Sequence, residues 1–198
     1  MSPHSAKKQP HGRGDLRSCS CLRLAAVAKR QVAFSSGPEV GTMRLRPVTP
    51  DDHARVIRIV DSWWGGRAMS AMLPKLFFVH FCETSFIAEV KDDLIGFLVG
   101  FLSPAVLEEA YIHFVGVHPD DRKRGVARRL YEQFFEAARK AGRCRVRCVT
   151  SPTNHTSIAF HRRMGFRSCG GVKDSSEMPI HWDYDGPGED RVLLAKRL

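Results

Sequence analysis

The chain has 198 residues, with 31 Lys or Arg against 21 Asp or Glu, a formal net charge of +10 and an apolar share of 43%. That length can bury a sizeable core as one domain, and the composition is that of a soluble globule rather than a fibrous or disordered chain. No stretch of eighteen apolar residues occurs, so no membrane-spanning helix is predicted, while the charge suits nucleic acid, a membrane surface or an anionic ligand.

Half of the excess charge lies in residues 1–42, which hold seven Lys or Arg and two acids. This stretch is rich in Ser, Arg, Lys, Gly and Ala and has no sustained periodicity. Leu22 to Ala33 can form a short amphipathic helix, as in organellar targeting segments, but the apolar core of a secretory signal is missing. The expected reading is a disordered or wrongly assigned leader, with a domain over 43–198 opening at Met43.

Within that domain, Met43 to Val48 alternates as a short strand. Thr49-Pro50-Asp51-Asp52 is a helix opening with a capping hydroxyl and an early proline, and the helix runs to about Trp63. Gly65-Gly66 breaks the chain, and Met72 to Phe81 reads as a second helix. Ser85 to Val90 and Leu94 to Leu102 form a predicted hairpin. Glu109 to Val117 is a strand, Gly125 to Ala141 a long helix, and Arg143 to Thr150 a strand. Ser157 to Met164 is a short helix, and Phe166 to Val172 and Arg191 to Lys196 are the last strands. The turn-rich Asp183 to Asp190 reads as a solvated loop that can also present carboxylates to a cationic substrate. This alternation implies one α/β (α+β) layer around a mixed sheet.

Six cysteines are present, none in a C-x-x-C pair or at zinc spacing, so no metal site is expected and a reducing cytoplasm fits the thiols.

The chemistry is concentrated in Arg122-Lys123-Arg124-Gly125-Val126-Ala127, between the strand of Val115 and the helix from Arg128 onward. The first turn of a helix has N–H groups without intrahelical partners, and the macrodipole makes that end positive. Gly125 and Ala127 lack the bulk that would hold a diphosphate away, and Lys123, Arg124, Arg128 and Arg129 add charge. The stretch reads as a pyrophosphate cradle. Local cations beside it need no nucleic acid to explain them, and no RRM, zinc-finger or helix-turn-helix signature occurs.

Arg122-x-x-Gly125-x-Ala127 after Val115-Gly116-Val117 resembles the acyl-CoA-binding motif of the GNAT N-acetyltransferase superfamily. A second block agrees: Asn154, then Ser157-Ile158-Ala159-Phe160-His161, then Met164-Gly165-Phe166. The resemblance implies a mixed, mostly antiparallel sheet flanked by helices in the order β-α-α-β-β-β-α-β-α-β-β. It implies that the backbone of Val115, Gly116 and Val117 pairs with the pantetheine arm of acetyl-CoA. Lys123, Arg124, Gly125, Val126, Ala127 and Arg128 would hold the pyrophosphate, and Asn154 would contact the pantetheine or diphosphate region. His161 takes the slot where many members carry the tyrosine that protonates the leaving thiolate, a departure from the pattern. In the family a bulge in the strand of Val115 exposes an N–H to the carbonyl, and the amine attacks directly in a ternary complex.

The usual carboxylate slots carry Tyr111 and Val149, neither a base at neutral pH. Glu109 and His113 share a face with Tyr111 and Val115 by strand alternation and are the candidate bases. Trp64 and Arg67 fall where the family's acceptor pocket is lined. The implied activity is acetyl transfer from acetyl-CoA to a small-molecule or protein amine, with no nucleic acid or membrane partner, and a homodimer is compatible with it. The competing reading is a non-catalytic acyl-CoA-binding regulatory domain.

Overall fold

Apolar-rich runs in the chain's middle third, at 86–90, 94–102 and 110–117, produce long adjacent strands, and these frame everything else. A computed structural model describes residues 43–173 and 178–198. The leader assigned to residues 1–42 lies outside the described residues. In chain order the elements are β1 (Arg44–Pro47), α1 (Asp52–Trp63), α2 (Leu76–His80), β2 (Phe86–Val90), β3 (Asp93–Leu102), β4 (Glu109–Val117) and α3 (Val126–Lys140). There follow β5 (Arg145–Thr150), α4 (His155–Arg163), β6 (Arg167–Ser168), β7 (Val172–Lys173), β8 (Pro179–Ile180) and β9 (Val192–Arg197).

Seven strands form one sheet in the order β1-β2-β3-β4-β5-β9-β6, and β7 pairs only with β8. Each pairing in the large sheet is antiparallel except β4 with β5. One face packs on α3 and α4 through Leu98, Ile112, Leu130, Phe134 and Ile158. The other packs on α1 and α2 through Val56, Val60, Phe78, Phe97 and Phe114. Burial of these large apolar side chains on both faces is the main stabilising term. No helix among the described residues is long and apolar enough to cross a membrane.

Two expected elements are shorter than their periodicity suggests. The helix expected over Met72 to Phe81 is a 3-10 turn at Ser70–Met72 and then α2. Pro74 divides them, because the residue before a proline is driven out of the helical region, and Leu73 has φ −121° and ψ 65°. The strand expected from Phe166 to Val172 breaks into β6 and β7 at Gly170 and Gly171, which adopt φ of +65° and +85°.

The opening of α1 also differs in detail. Thr49 makes no hydroxyl cap; instead its N–H donates to the Asp52 carboxylate at 2.8 Å, and its hydroxyl donates to the same oxygen at 3.0 Å. Asp52 and Glu89 are buried, and both accept from Arg46 and Arg55. That cluster ties β1, β2 and α1 together.

Candidate active site

β4 and β5 pair only at Glu109↔Arg145, Ala110↔Val146 and Tyr111↔Arg147. Beyond Tyr111, β4 continues along β3 to Val117, whereas β5 continues along β9 to Thr150. The strands therefore part, and the edge of β4 from Ile112 to Val117 that faces β5 has no strand partner. Main-chain donors and acceptors along such an edge need partners, and an extended chain carrying amides can supply them. Val115, Gly116 and Val117 lie on this edge. Gly116 has a separate structural reason, because a Cβ there would collide with the ring of Phe97.

At the mouth of the fork the chain turns into α3. Lys123 and Gly125 adopt φ of +64° and +86°, and Gly125 is the N-cap. A Cβ built on Gly125 would meet nothing within 4 Å. The left-handed turn is thus bare on its outer side, and the first N–H groups of α3 follow it. Arg122 fastens this turn to α1: its Nη2 donates to the Trp63 carbonyl at 2.6 Å. Arg124 pairs with Asp121 at 2.8 Å, Arg128 pairs with Glu132 at 2.9 Å, and Ala127 is half-buried. These residues fit a diphosphate: an unobstructed helix start, a glycine no larger residue replaces without strain, and flanking cations.

The alternation expected to place Glu109, Tyr111, His113 and Val115 on one face holds only up to His113. Val99 pairs with Phe114 but Gly100 pairs with Ile112, so His113 is an extra residue, a β-bulge. Beyond it the faces exchange. Ile112 and Val115 both pack toward α3, whereas Phe114 joins the α1 side. His113 lies on the α1 and α2 side, stacked on Phe77 at 4.4 Å.

The candidate bases differ sharply. His113 Nε2 lies 2.7 Å from the Met72 carbonyl. A carbonyl only accepts, so Nε2 carries the proton and the lone pair of the neutral ring is on Nδ1. Glu109 accepts from Arg147 at 2.7 Å and from Arg145 at 3.0 Å. Burial opposes its ionisation, but these two guanidinium groups outweigh it and hold its carboxyl below the ordinary range. It makes an ion pair at the strand end.

His161 is buried. Its Nδ1 donates to the Ser157 carbonyl at 2.8 Å, which leaves Nε2 to accept from the Tyr131 hydroxyl at 2.8 Å. Burial lowers its pKa, against the raising effect of the Ser157 bond, so the ring is neutral with both nitrogens engaged. Tyr131 is fully buried, and burial pushes its hydroxyl well above the usual phenol range. Asn154 caps α4, its Oδ1 accepting from Ser157 N at 3.1 Å.

Trp64 packs on Phe114 at 5.2 Å and roofs the wall beside the bulge. Arg67 is exposed in the turn that follows. The carboxylates of the Asp183 to Asp190 loop hold that loop together. Asp183 accepts from Gly188 N at 2.6 Å and Asp190 from Asp183 N at 3.0 Å. Asp185 and Glu189 both clasp Arg191, at 2.6 and 2.7 Å. Two contributors had no signal in the sequence. The Met72 carbonyl is a backbone group brought in by the fold, and Tyr131 is spaced like any core residue of α3.

An open strand fork with a bare helix start at its mouth has the shape that an extended, diphosphate-bearing ligand would fit. The acetyltransferase (GNAT) family model matches residues 56–166, more than half of the chain, and the chain belongs to that family. Among curated relatives, L-2,4-diaminobutyric acid acetyltransferase of Nocardia farcinica is 28% identical over 121 residues, 61% of this chain and 63% of that protein. The enzyme of the same name from Marinococcus halophilus is 27% identical over 84 residues, 42% of this chain and 49% of that protein. The chain thus spans less than two thirds of the length of either. Ard1 from Thermoplasma volcanium superposes with a TM-score of 0.64 at 20% identity, over 79% of this chain and 97% of that one. Diaminobutyrate acetyltransferase EctA from Paenibacillus lautus, in complex with L-2,4-diaminobutyric acid and coenzyme A, gives 0.56 at 20% identity, over 78% and 94%. At these identities the structural likeness establishes the fold.

Proposed function

We propose that the protein is an N-acetyltransferase that moves an acetyl group from acetyl-CoA to a primary amine by direct attack in a ternary complex. The observation that carries this reading is the fork of β4 and β5 with the bare left-handed turn of Gly125 at its mouth. The edge of Val115, Gly116 and Val117 would pair with the pantetheine amides, and the backbone from Lys123 to Arg128 would hold the diphosphate. Acetyl-CoA supplies an activated thioester there. His113 Nδ1 takes the proton that the amine sheds as it attacks, and Met72 and Phe77 keep that ring in place. Trp64 and Arg67 would line the acceptor side.

The relatives' names point to small diamino acids among acceptors to try first. The described cysteines, Cys82, Cys144, Cys148 and Cys169, are free thiols, which supports a reducing compartment such as the cytoplasm.

The test is thermal stability with and without acetyl-CoA, followed by thiol release across L-2,4-diaminobutyric acid, L-lysine, spermidine and peptides. Ligand at about a hundred times its dissociation constant adds roughly 2.7 kcal/mol, a shift of several degrees. His113→Gln should leave that shift intact and slow thiol release about 100-fold or more, while Glu109→Gln should stay close to wild type. Equal loss in both variants would remove His113 as the specific base.

A second reading is a non-catalytic acyl-CoA-binding domain, favoured by the engaged nitrogens of His161 and the arginine-bound Glu109. It expects the thermal shift without thiol release on any amine.

A further inference from the structure

Tyr111 is the last residue of β4 that pairs with β5, so it stands at the vertex of the fork. Its ring stacks on Phe101 at 5.4 Å. Phe101 meets Phe81 at 5.4 Å, Phe81 meets Phe77 at 5.6 Å, and Phe77 carries His113 at 4.4 Å. This row begins and ends on β4, so Tyr111 and His113 are held on one face with their relative positions set by packing.

Tyr111 is half-buried, yet its hydroxyl has no hydrogen-bond partner among the described residues. Arg143 Nε is the buried side-chain atom left unpaired among them, so the Tyr111 oxygen is not sealed from solvent. An accessible, unpaired hydroxyl on the face that carries His113 is available to a ligand.

We infer that the Tyr111 hydroxyl accepts a hydrogen bond from the acceptor amine and, with His113 Nδ1, aims the amine lone pair at the thioester carbonyl. This rests on the acetyltransferase reading and deepens it. As the amine attacks, its lone pair becomes the C–N bond and the carbonyl π pair moves to oxygen. The proton shed by nitrogen passes to His113; collapse expels the sulfur with the C–S pair, and the thiolate takes a proton from solvent. Tyr111 keeps its own proton. Burial, then Cys148, Tyr184 and Asp185, push its ionisation above the usual phenol range, with Arg191 opposing. Its part is orientation, not proton transfer.

The test is Tyr111→Phe, which preserves the ring on Phe101, assayed by thiol release with L-2,4-diaminobutyric acid, L-lysine and spermidine. The acceptor KM should rise about tenfold. The acetyl-CoA dissociation constant and the pH dependence of kcat/KM should not move. An unchanged acceptor KM beside an active wild type overturns the inference alone. A lost limb of the pH profile overturns it too, by making Tyr111 the titrating group, and weakened acetyl-CoA binding would place the hydroxyl on the thioester instead. A wild type that releases no thiol with any amine removes both this inference and the reading beneath it.

Discussion

Gly125 combines two constraints that usually occur apart. Its φ of +86° is a conformation that L side chains rarely adopt, at a cost of roughly 1–2 kcal/mol. Its missing Cβ also leaves the outer side of the turn open. The first constraint acts on the free protein, and the second is felt only when a diphosphate lies against the turn. Gly125→Ala should therefore lower stability by about 1 kcal/mol and weaken acetyl-CoA by more than that strain accounts for. Gly125→Asp adds a like charge and should weaken it about 100-fold, or roughly 2.7 kcal/mol. Titration calorimetry on both variants checks this, and wild-type affinity in Gly125→Asp would remove the turn from the diphosphate. This residue could be read from the sequence because the constraint is local. His113 was legible only as a residue type. Its proton position is set by the Met72 carbonyl, 41 residues away in sequence, which no local pattern encodes.

The helices α3 and α4 are joined by one buried polar contact, Tyr131 to His161, set among Phe135, Phe160 and Phe166. Both partners are shielded, so removing one leaves the other unpaired at about 1–3 kcal/mol. Tyr131→Phe should lower the melting temperature by roughly 2–12 °C while changing kcat less than about threefold, because neither nitrogen of His161 is free to give a proton. Chemical denaturation and steady-state assays separate the two effects. A large loss of kcat with stability intact would instead make the pair the acid that serves the thiolate. The block from Asn154 to Phe166 could be placed on a helix from sequence, but the direction of His161 could not. Helical spacing sets which face a side chain leaves from, and the partner it finds depends on the facing helix. The resemblance implied a bulge in the strand of Val115, but its place at His113 was hidden for a related reason. Register belongs to a pair of strands, and the shift arises where Gly100 meets Ile112.

The succession of strands and helices follows from apolar stretches at strand and helix periods, whereas the mostly antiparallel sheet flanked by helices was implied by the resemblance alone. What periodicity does not register is the charged cluster that fastens one edge. Asp52 and Glu89 are 2% and 3% exposed and meet Arg46, Arg55 and, for Glu89, Arg44. Burial disfavours their charge, but the guanidinium hydrogen bonds outweigh it, holding Glu89 at about 2 and Asp52 well below the carboxylate range. A carboxyl whose pKa is depressed in the folded state contributes stability above its unfolded value and loses it as the pH falls. For Glu89 that window runs from about 4.5 down to about 2. Melting temperature should therefore fall steadily across this range. Glu89→Gln should cost about 3 kcal/mol at neutral pH, roughly 6–12 °C, because Arg46 and Arg55 lose a buried partner. The same variant should lessen the acid-side slope, since one of the two depressed carboxylates that titrate there is gone while Asp52 remains. Since the cluster sits on β1, β2 and α1, away from the fork, acetyl-CoA affinity at neutral pH should match wild type in the folded fraction. An unchanged slope in Glu89→Gln would assign acid sensitivity to other carboxylates, and a selective loss of acetyl-CoA binding would tie this edge of the sheet to the site.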